Sequence, residues 1–316
     1  MVVGMISIKN MKIWIKAILS GYLFLLTGLT QAAAGPPPLP LSISDNLWRP
    51  LYNSTNLALQ VKLEAALNKS RLWRNLIFLN KMAVGVVDIS DINAPRFARV
   101  NGRTMMYAAS LPKIAILLAA YVSFEDGSLK ETPEIYEDLV AMIRTSSNSA
   151  ASRMIDRIGF GKIQAVLMDP RYQLYDIKRG GGLWVGKRYA KSGERNPDPI
   201  KGLSHAANVN QVCRFYYLLT TGRIINPERS RSMLEILSEP GLHHKFVNEL
   251  DKRVPLDRLF RKSGTWKTYH SDSVLVWGEA WRRYILAAMV ISNKGEHIIR
   301  DLVSVVEDIL RPDILP

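Results

Sequence analysis

The chain has 316 residues, 47% hydrophobic and 22% charged, enough for one large domain or two modest ones with a sizeable core, and nothing in that composition suggests disorder. Its formal charge is +14, yet the Lys and Arg are scattered rather than gathered in runs interleaved with aromatics, which argues against nucleic acid and for anionic envelopes or carboxylate-bearing substrates. Cys213 is the only cysteine, which excludes an internal disulfide and any cysteine-based metal cluster in the monomer.

Residues 1–34 read as a secretory signal peptide. Lys12 and Lys16 precede the apolar run Ala17 to Leu29, and Thr30-Gln31-Ala32-Ala33-Ala34 supplies the small-residue site. The run is 13 residues, short of the roughly 20 needed to span a bilayer, so the expectation is export to the periplasm or beyond with no membrane span after cleavage. Either Met1 or Met11 could start the leader. Removing the three leader lysines Lys9, Lys12 and Lys16 from +14 leaves +11, still clearly basic. Residues 35–45, opening with Gly35-Pro36-Pro37-Pro38-Leu39-Pro40, read as an extended proline-rich spacer, and 46–316 as the folded domain.

Within that domain, residues 54–68 place Leu59, Val61, Leu63, Ala66 and Leu67 on one side, an amphipathic helix capped by Ser54 or Thr55. Met82 to Ile89 is a Val-rich strand, Asp91 to Pro95 a turn and Arg96 to Val100 a partner strand. An apolar helix follows Ser110. Ile135 to Ile143 and Ala150 to Ile158 are helical, separated by the polar cluster Arg144 to Ser149. Residues 178–206, with Gly180 to Gly182, Pro197 and Pro199, lack periodicity. Asn208 caps a helix over Val209 to Leu219 that ends at Gly222 and buries Cys213 as a packing residue; Asn226 to Leu237 is another helix with Pro227 in its first turn. Strands at Arg258 to Thr265, Ser273 to Val276 and Tyr284 to Ser292 lead to a closing helix, Glu296 to Leu310. Two strands before a helical middle and three after it assemble most simply as an α+β fold. One five-stranded, largely antiparallel sheet is built from both ends of the chain, terminal helices cover one face, and a helical subdomain leaves a cleft beside it.

Three short motifs fall beside that cleft. Ser110 and Lys113 stand three positions apart, close to one helical turn, so hydroxyl and amine share a face, and Pro112 fits the first turn, which puts Ser110 at the positive end of the helix dipole. Standing alone, such a pair is better explained as a Ser cap with an exposed Lys. Ser146-Ser147-Asn148 lies between two helices, where Ser146 and Asn148 could simply be caps, and Lys262-Ser263-Gly264-Thr265 ends a strand, where Lys262 could be a solvated edge lysine. Together and in this order they resemble the signature of the penicillin-recognising serine hydrolases, the class A β-lactamases and the D,D-peptidases: Ser-x-x-Lys, Ser-x-Asn and Lys-Thr-Gly or Lys-Ser-Gly. The likeness spans roughly residues 50 to 310 and includes the order of strands and helices.

The resemblance implies that Ser110 is the nucleophile, Lys113 its base, and Ser146 the relay to the leaving nitrogen. Asn148 would bind the acyl amide. Lys262, Ser263 and Thr265 would hold the substrate carboxylate, Gly264 would keep the strand bare, and the backbone N–H groups of Ser110 and Thr265 would form the oxyanion hole. The chain departs from the class A pattern at Ser147, which stands where those enzymes have Asp, and in the 36 residues from Ser110 to Ser146, fewer than is usual there. The loop Glu that activates water for deacylation has one candidate, Glu194 in Ser192-Gly193-Glu194-Arg195-Asn196, and an exposed loop Glu explains it equally well. His205 and the adjacent His243-His244 lack the spacing of a metal site. Trp266, Trp277 and Trp281 read as core and cleft wall. The resulting expectation is an exported monomeric serine hydrolase, without cofactor or metal, that hydrolyses a small-molecule β-lactam through a Ser110 acyl-enzyme. The alternatives are a D,D-peptidase acting on a peptidoglycan-like substrate, another amide or ester hydrolase, or a slowly turning-over β-lactam-binding sensor.

Overall fold

A computed structural model describes residues 36–312, so the signal-peptide reading over 1–34 lies outside the described residues. Strand β1 (Met82–Asp88) divides its side chains between two cores: Met82, Val84 and Val86 enter one cluster, Ala83 and Val87 the other. It lies inside a five-stranded antiparallel sheet of order β2 (Arg96–Val100), β1, β10 (Arg283–Ile291), β9 (Tyr269–Trp277), β8 (Leu259–Trp266). The fold class expected from the sequence is the one found.

One face of the sheet is covered by α1 (Leu57–Asn68), α2 (Arg71–Phe78), α9 (Phe246–Leu250) and α10 (Gly295–Leu310), drawn from both ends of the chain. Asn56, rather than Ser54 or Thr55, caps α1 by accepting from the Leu59 N–H at 2.9 Å. Helix α1 buries Leu59, Leu63 and Leu67 while Val61 faces water. The opposite face carries α7 (Val209–Thr220), every residue of which is buried. Gly85 of β1 permits that contact, since a Cβ there would stand 2.8 Å from the Cys213 sulfur; Cys213 is a packing residue.

Outward from α7 lies the helical part: α3 (Lys113–Glu125), α4 (Pro133–Arg144), α5 (Asn148–Ile158), α6 (Phe160–Met168) and α8 (Pro227–Leu237). Residues 175–207, joined by β3 (Met106–Tyr107), form two small sheets: β3 with β7 (His205–Ala207) and β6 (Trp184–Val185), and β4 (Tyr175–Asp176) with β5 (Gly181–Gly182). The stretch read as a spacer is docked where it is described. The Pro37 carbonyl accepts from the Trp277 indole at 2.7 Å, the Leu41 N–H donates to Thr220 O at 2.7 Å, and Leu39 and Leu41 pack on the core.

Candidate active site

Helix α3 is apolar around its whole circumference and runs through the core, so a lysine in its first turn has no route to water: Lys113 is 0% exposed. Ser110 precedes the helix in a tight turn, with Leu111 N–H donating to Ala108 O at 3.1 Å and Lys113 N–H to Ser110 O at 3.3 Å. Ala109 takes a left-handed φ of 49° to make that turn. The residue at the cap position is Pro112, which carries no capping side chain, so Ser110 is not a helix cap.

The Lys113 amine donates to Ser146 O at 2.7 Å, Asn148 Oδ1 at 2.8 Å, Ser147 O at 3.3 Å and Ser146 Oγ at 3.4 Å. Its hydrogen bonds among the described residues thus go to the Ser146–Asn148 segment and not to the Ser110 hydroxyl. The Lys262 amine, 1% exposed, donates to the same Ser146 Oγ at 2.9 Å and to Ser263 O at 2.8 Å. Ser146 reaches this place with a left-handed φ of 59°, strain of the kind that gathers at functional sites. Capping of α5 falls to Ser147, whose hydroxyl accepts from the Ala150 N–H at 3.2 Å, which leaves the Ser146 hydroxyl to the two amines. Burial lowers the Lys113 amine to about 7. The Lys262 amine is pushed well below its ordinary value, chiefly by burial and next by the positive Lys113 beside it.

Strand β8 passes close under Ser110. A Cβ on Gly264 would stand 2.2 Å from Ala108 O and 2.6 Å from Ser110 N, so only glycine lets the strand lie against the Ser110 turn. Side chains alternate along the strand, and Ser263 therefore leaves the Lys262 side; its hydroxyl sits 3.4 Å from His244 Nε2. Thr265 Oγ1 accepts from Lys245 at 2.7 Å, and the same buried amine donates to Gly264 O at 2.6 Å and Ser271 O at 3.0 Å. Sequence reasoning missed Lys245. Its amine, lowered by burial to about 8, is held by a segment that Arg261 and Asp272 pin from strands β8 and β9. A lysine directly after two histidines carries no signal of such burial.

The loop from Gly186 to Ser204 forms the other lip. Tyr189 lays its ring 4.5 Å from the Lys113 amine and donates its hydroxyl to Ala109 O at 3.2 Å. His205 lies under that ring, 4.2 Å away, with Nε2 2.9 Å from Lys187 O, and burial lowers it to about 4, so it is neutral. Glu194 is not brought to the site. It is exposed beside Gly193, makes no hydrogen bond or ion pair among the described residues, and does not line the cleft. The physical reason is the path of the loop: a bridge pairs Lys187 with Arg195, Tyr189 and Lys191 turn toward the cleft, and Glu194 stays in water before Asn196 turns back to Gln164 at 2.9 Å. Trp266 and Tyr107 wall the cleft, edge to face at 5.5 Å, while Trp277 is core and Trp281 stacks between Arg282 and Arg311 outside it. Among the described residues no cluster of three His, Cys, Asp or Glu is placed to hold a metal ion.

This arrangement can activate a hydroxyl and shuttle its proton. Two buried amines share one serine hydroxyl, and a bare strand lies within contact of a second serine's backbone N–H. Residues 135–310 match the model of a family described as the Beta-lactamase enzyme family. Among solved structures, a beta-lactamase from Sphaerobacter thermophilus is similar with a TM-score of 0.58 at 15% identity, over 80% of this chain and 94% of that one. A class A beta-lactamase from Bacteroides cellulosilyticus gives 0.58 at 15% identity, over 81% and 99%. A variant of PBP-A in an acyl-enzyme complex with penicillin G gives 0.58 at 19% identity, over 82% and 97%. At these identities the likeness is one of fold. No curated protein matches the sequence.

Proposed function

The chain belongs to the Beta-lactamase enzyme family, and from that premise we propose that it is an exported serine hydrolase that opens a β-lactam or related amide through an acyl-enzyme on Ser110 and releases that acyl-enzyme slowly. The observation that carries the reading is the Ser146 hydroxyl, 2.9 Å from the Lys262 amine and 3.4 Å from the Lys113 amine. With Lys113 lowered to about 7, a large share of that amine is neutral near neutral pH and can take the Ser110 proton. The freed oxygen forms the ester bond to the substrate carbonyl, the backbone N–H groups of Ser110 and Thr265 stabilise the tetrahedral oxyanion, and the amide C–N bond breaks as Ser146 passes the proton to the nitrogen. Asn148 orients the acyl amide, and Lys262 attracts the substrate carboxylate. Release requires water and a base, and Glu194 stands outside the cleft. Export rests on the leader: Lys12 and Lys16 ahead of the apolar run, and the small-residue site after it.

A second reading, a D,D-peptidase or other acyl-transferring enzyme, is favoured by that same exposed Glu194. A chromogenic cephalosporin, followed by colour and by intact mass, separates these. The expected result is one burst equivalent of hydrolysis and a lasting adduct that is absent in Ser110→Ala. Steady hydrolysis without adduct would replace slow release with rapid turnover, release of D-alanine from an acyl-D-Ala-D-Ala peptide would favour the peptidase, and no adduct at all overturns the Ser110 mechanism.

A further inference from the structure

Beside Asn148, and next to the Tyr189 ring that lies over the Lys113 amine, is a space of about 620 Å³ between the Tyr107–Trp266 wall and the 187–195 loop. Lys187, Lys191 and Arg195 line it, and no carboxylate does. Lys187 spends one donor on Lys191 O at 3.0 Å, which draws the loop into a turn, and Arg188 is engaged by Asp156 at 2.7 Å. Lys187, Lys191 and Arg195 form no ion pair among the described residues. Of the four cations on this loop only Arg188 has an ion-pair partner, Asp156, and the loop's one carboxylate, Glu194, does not line the cavity, so Lys187, Lys191 and Arg195 face it without a paired counter-charge. Asn148 lines this same space, so it continues the cleft on the side where the acyl group of a substrate would lie.

We infer that this space selects substrates whose acyl group carries a negative charge. The substrate class is thereby an amide anionic at both ends, one carboxylate near Lys262 and a second anionic group among Lys187, Lys191 and Arg195, its apolar part resting on Tyr107 and Trp266. The inference rests on the acyl-enzyme reading for which group enters first, and on the cavity alone for its charge preference.

Three penicillins that differ only at one side-chain carbon test it: carbenicillin bears a carboxylate there, benzylpenicillin a hydrogen and ampicillin an ammonium. At low ionic strength, adduct formation is expected to be fastest with carbenicillin and slowest with ampicillin, by about three- to tenfold per step, and the spread should shrink in 0.5 M salt. In Lys191→Ala with Arg195→Ala, the ratio of carbenicillin to benzylpenicillin should fall to about one. Calorimetric binding to Ser110→Ala repeats the comparison without chemistry. A carboxylate preference there, with no adduct on the unmutated chain, supports the cavity assignment and removes the acyl-enzyme reading. Adducts formed without a charge preference, a preference that survives the double substitution, or no preferential binding in either assay overturns the inference.

Discussion

Adjacent residues on β8 treat buried charge in opposite ways. Arg261 donates to both carboxylate oxygens of Asp272, at 2.7 and 2.9 Å, and further to Leu242 O and His244 O. Lys262, on the alternate side, has no carboxylate; it shares a serine hydroxyl with a second buried lysine. The first arrangement fixes architecture, because a fully partnered charge has nothing left to give a substrate. The second stores reactivity, since two amines that cannot both comfortably hold a proton make one of them a base. The lesson is that burial alone does not say what a cation is for; its partners do.

The most damaging test removes the acceptor of that reactivity. Ser110→Ala should abolish adduct formation, a loss on the order of 10⁵-fold or more by analogy with nucleophile deletions in other serine enzymes, measured by intact mass. Lys113→Met and Lys262→Met should each slow acylation by about 10²- to 10⁴-fold, the range of a positioned proton-transfer group, with the fold retained by circular dichroism. The pH profile sharpens the point. Only the unprotonated Lys113 amine can accept the Ser110 proton, so acylation should rise with pH, reach half its maximum near 7 and level off above; a flat profile between pH 5 and 8 would remove Lys113 as the base. On the other face, Arg261→Met should cost about 3–5 kcal/mol of stability in denaturant unfolding, because it strands Asp272, and adding Asp272→Leu should recover part of that loss. The comparison would break if Arg261→Met slowed acylation as much as Lys262→Met in protein that remains folded. The smallest effect is expected at Glu194→Gln, with deacylation unchanged within about twofold, as for an exposed side chain without partners; a lost deacylation step would return Glu194 to the mechanism.

The sheet was legible because strands β1 and β10 are apolar runs, β2 follows β1 across a turn, and the split of the strands around the helical middle leaves few ways to pair them. Helices α2 and α9 were not, since at eight and five residues each is shorter than the window over which a helical pattern can be told from the connecting chain. In the site, Ser110, Lys113, Ser146 and Lys262 stood out because each sits at the end of a readable element. Tyr189, Lys187 and Arg195 belong to a loop whose path is set by a bridge and two small sheets assembled from distant segments, and no local pattern encodes that path. Glu194 entered as a candidate on its place between two motifs, which says nothing of its direction, and the loop leaves it exposed.

The docked proline segment has a consequence for how the chain comes together in time. The carbonyl of Pro37 and the indole that binds it are 240 residues apart, and Leu41 waits for Thr220. A chain made from its N-terminus has these early residues in hand long before their partners exist, so the strap closes only after β9 has formed and is a late seal on the domain. Clipping it should therefore loosen the finished fold without preventing the sheet from assembling, a difference that limited proteolysis followed by refolding would display.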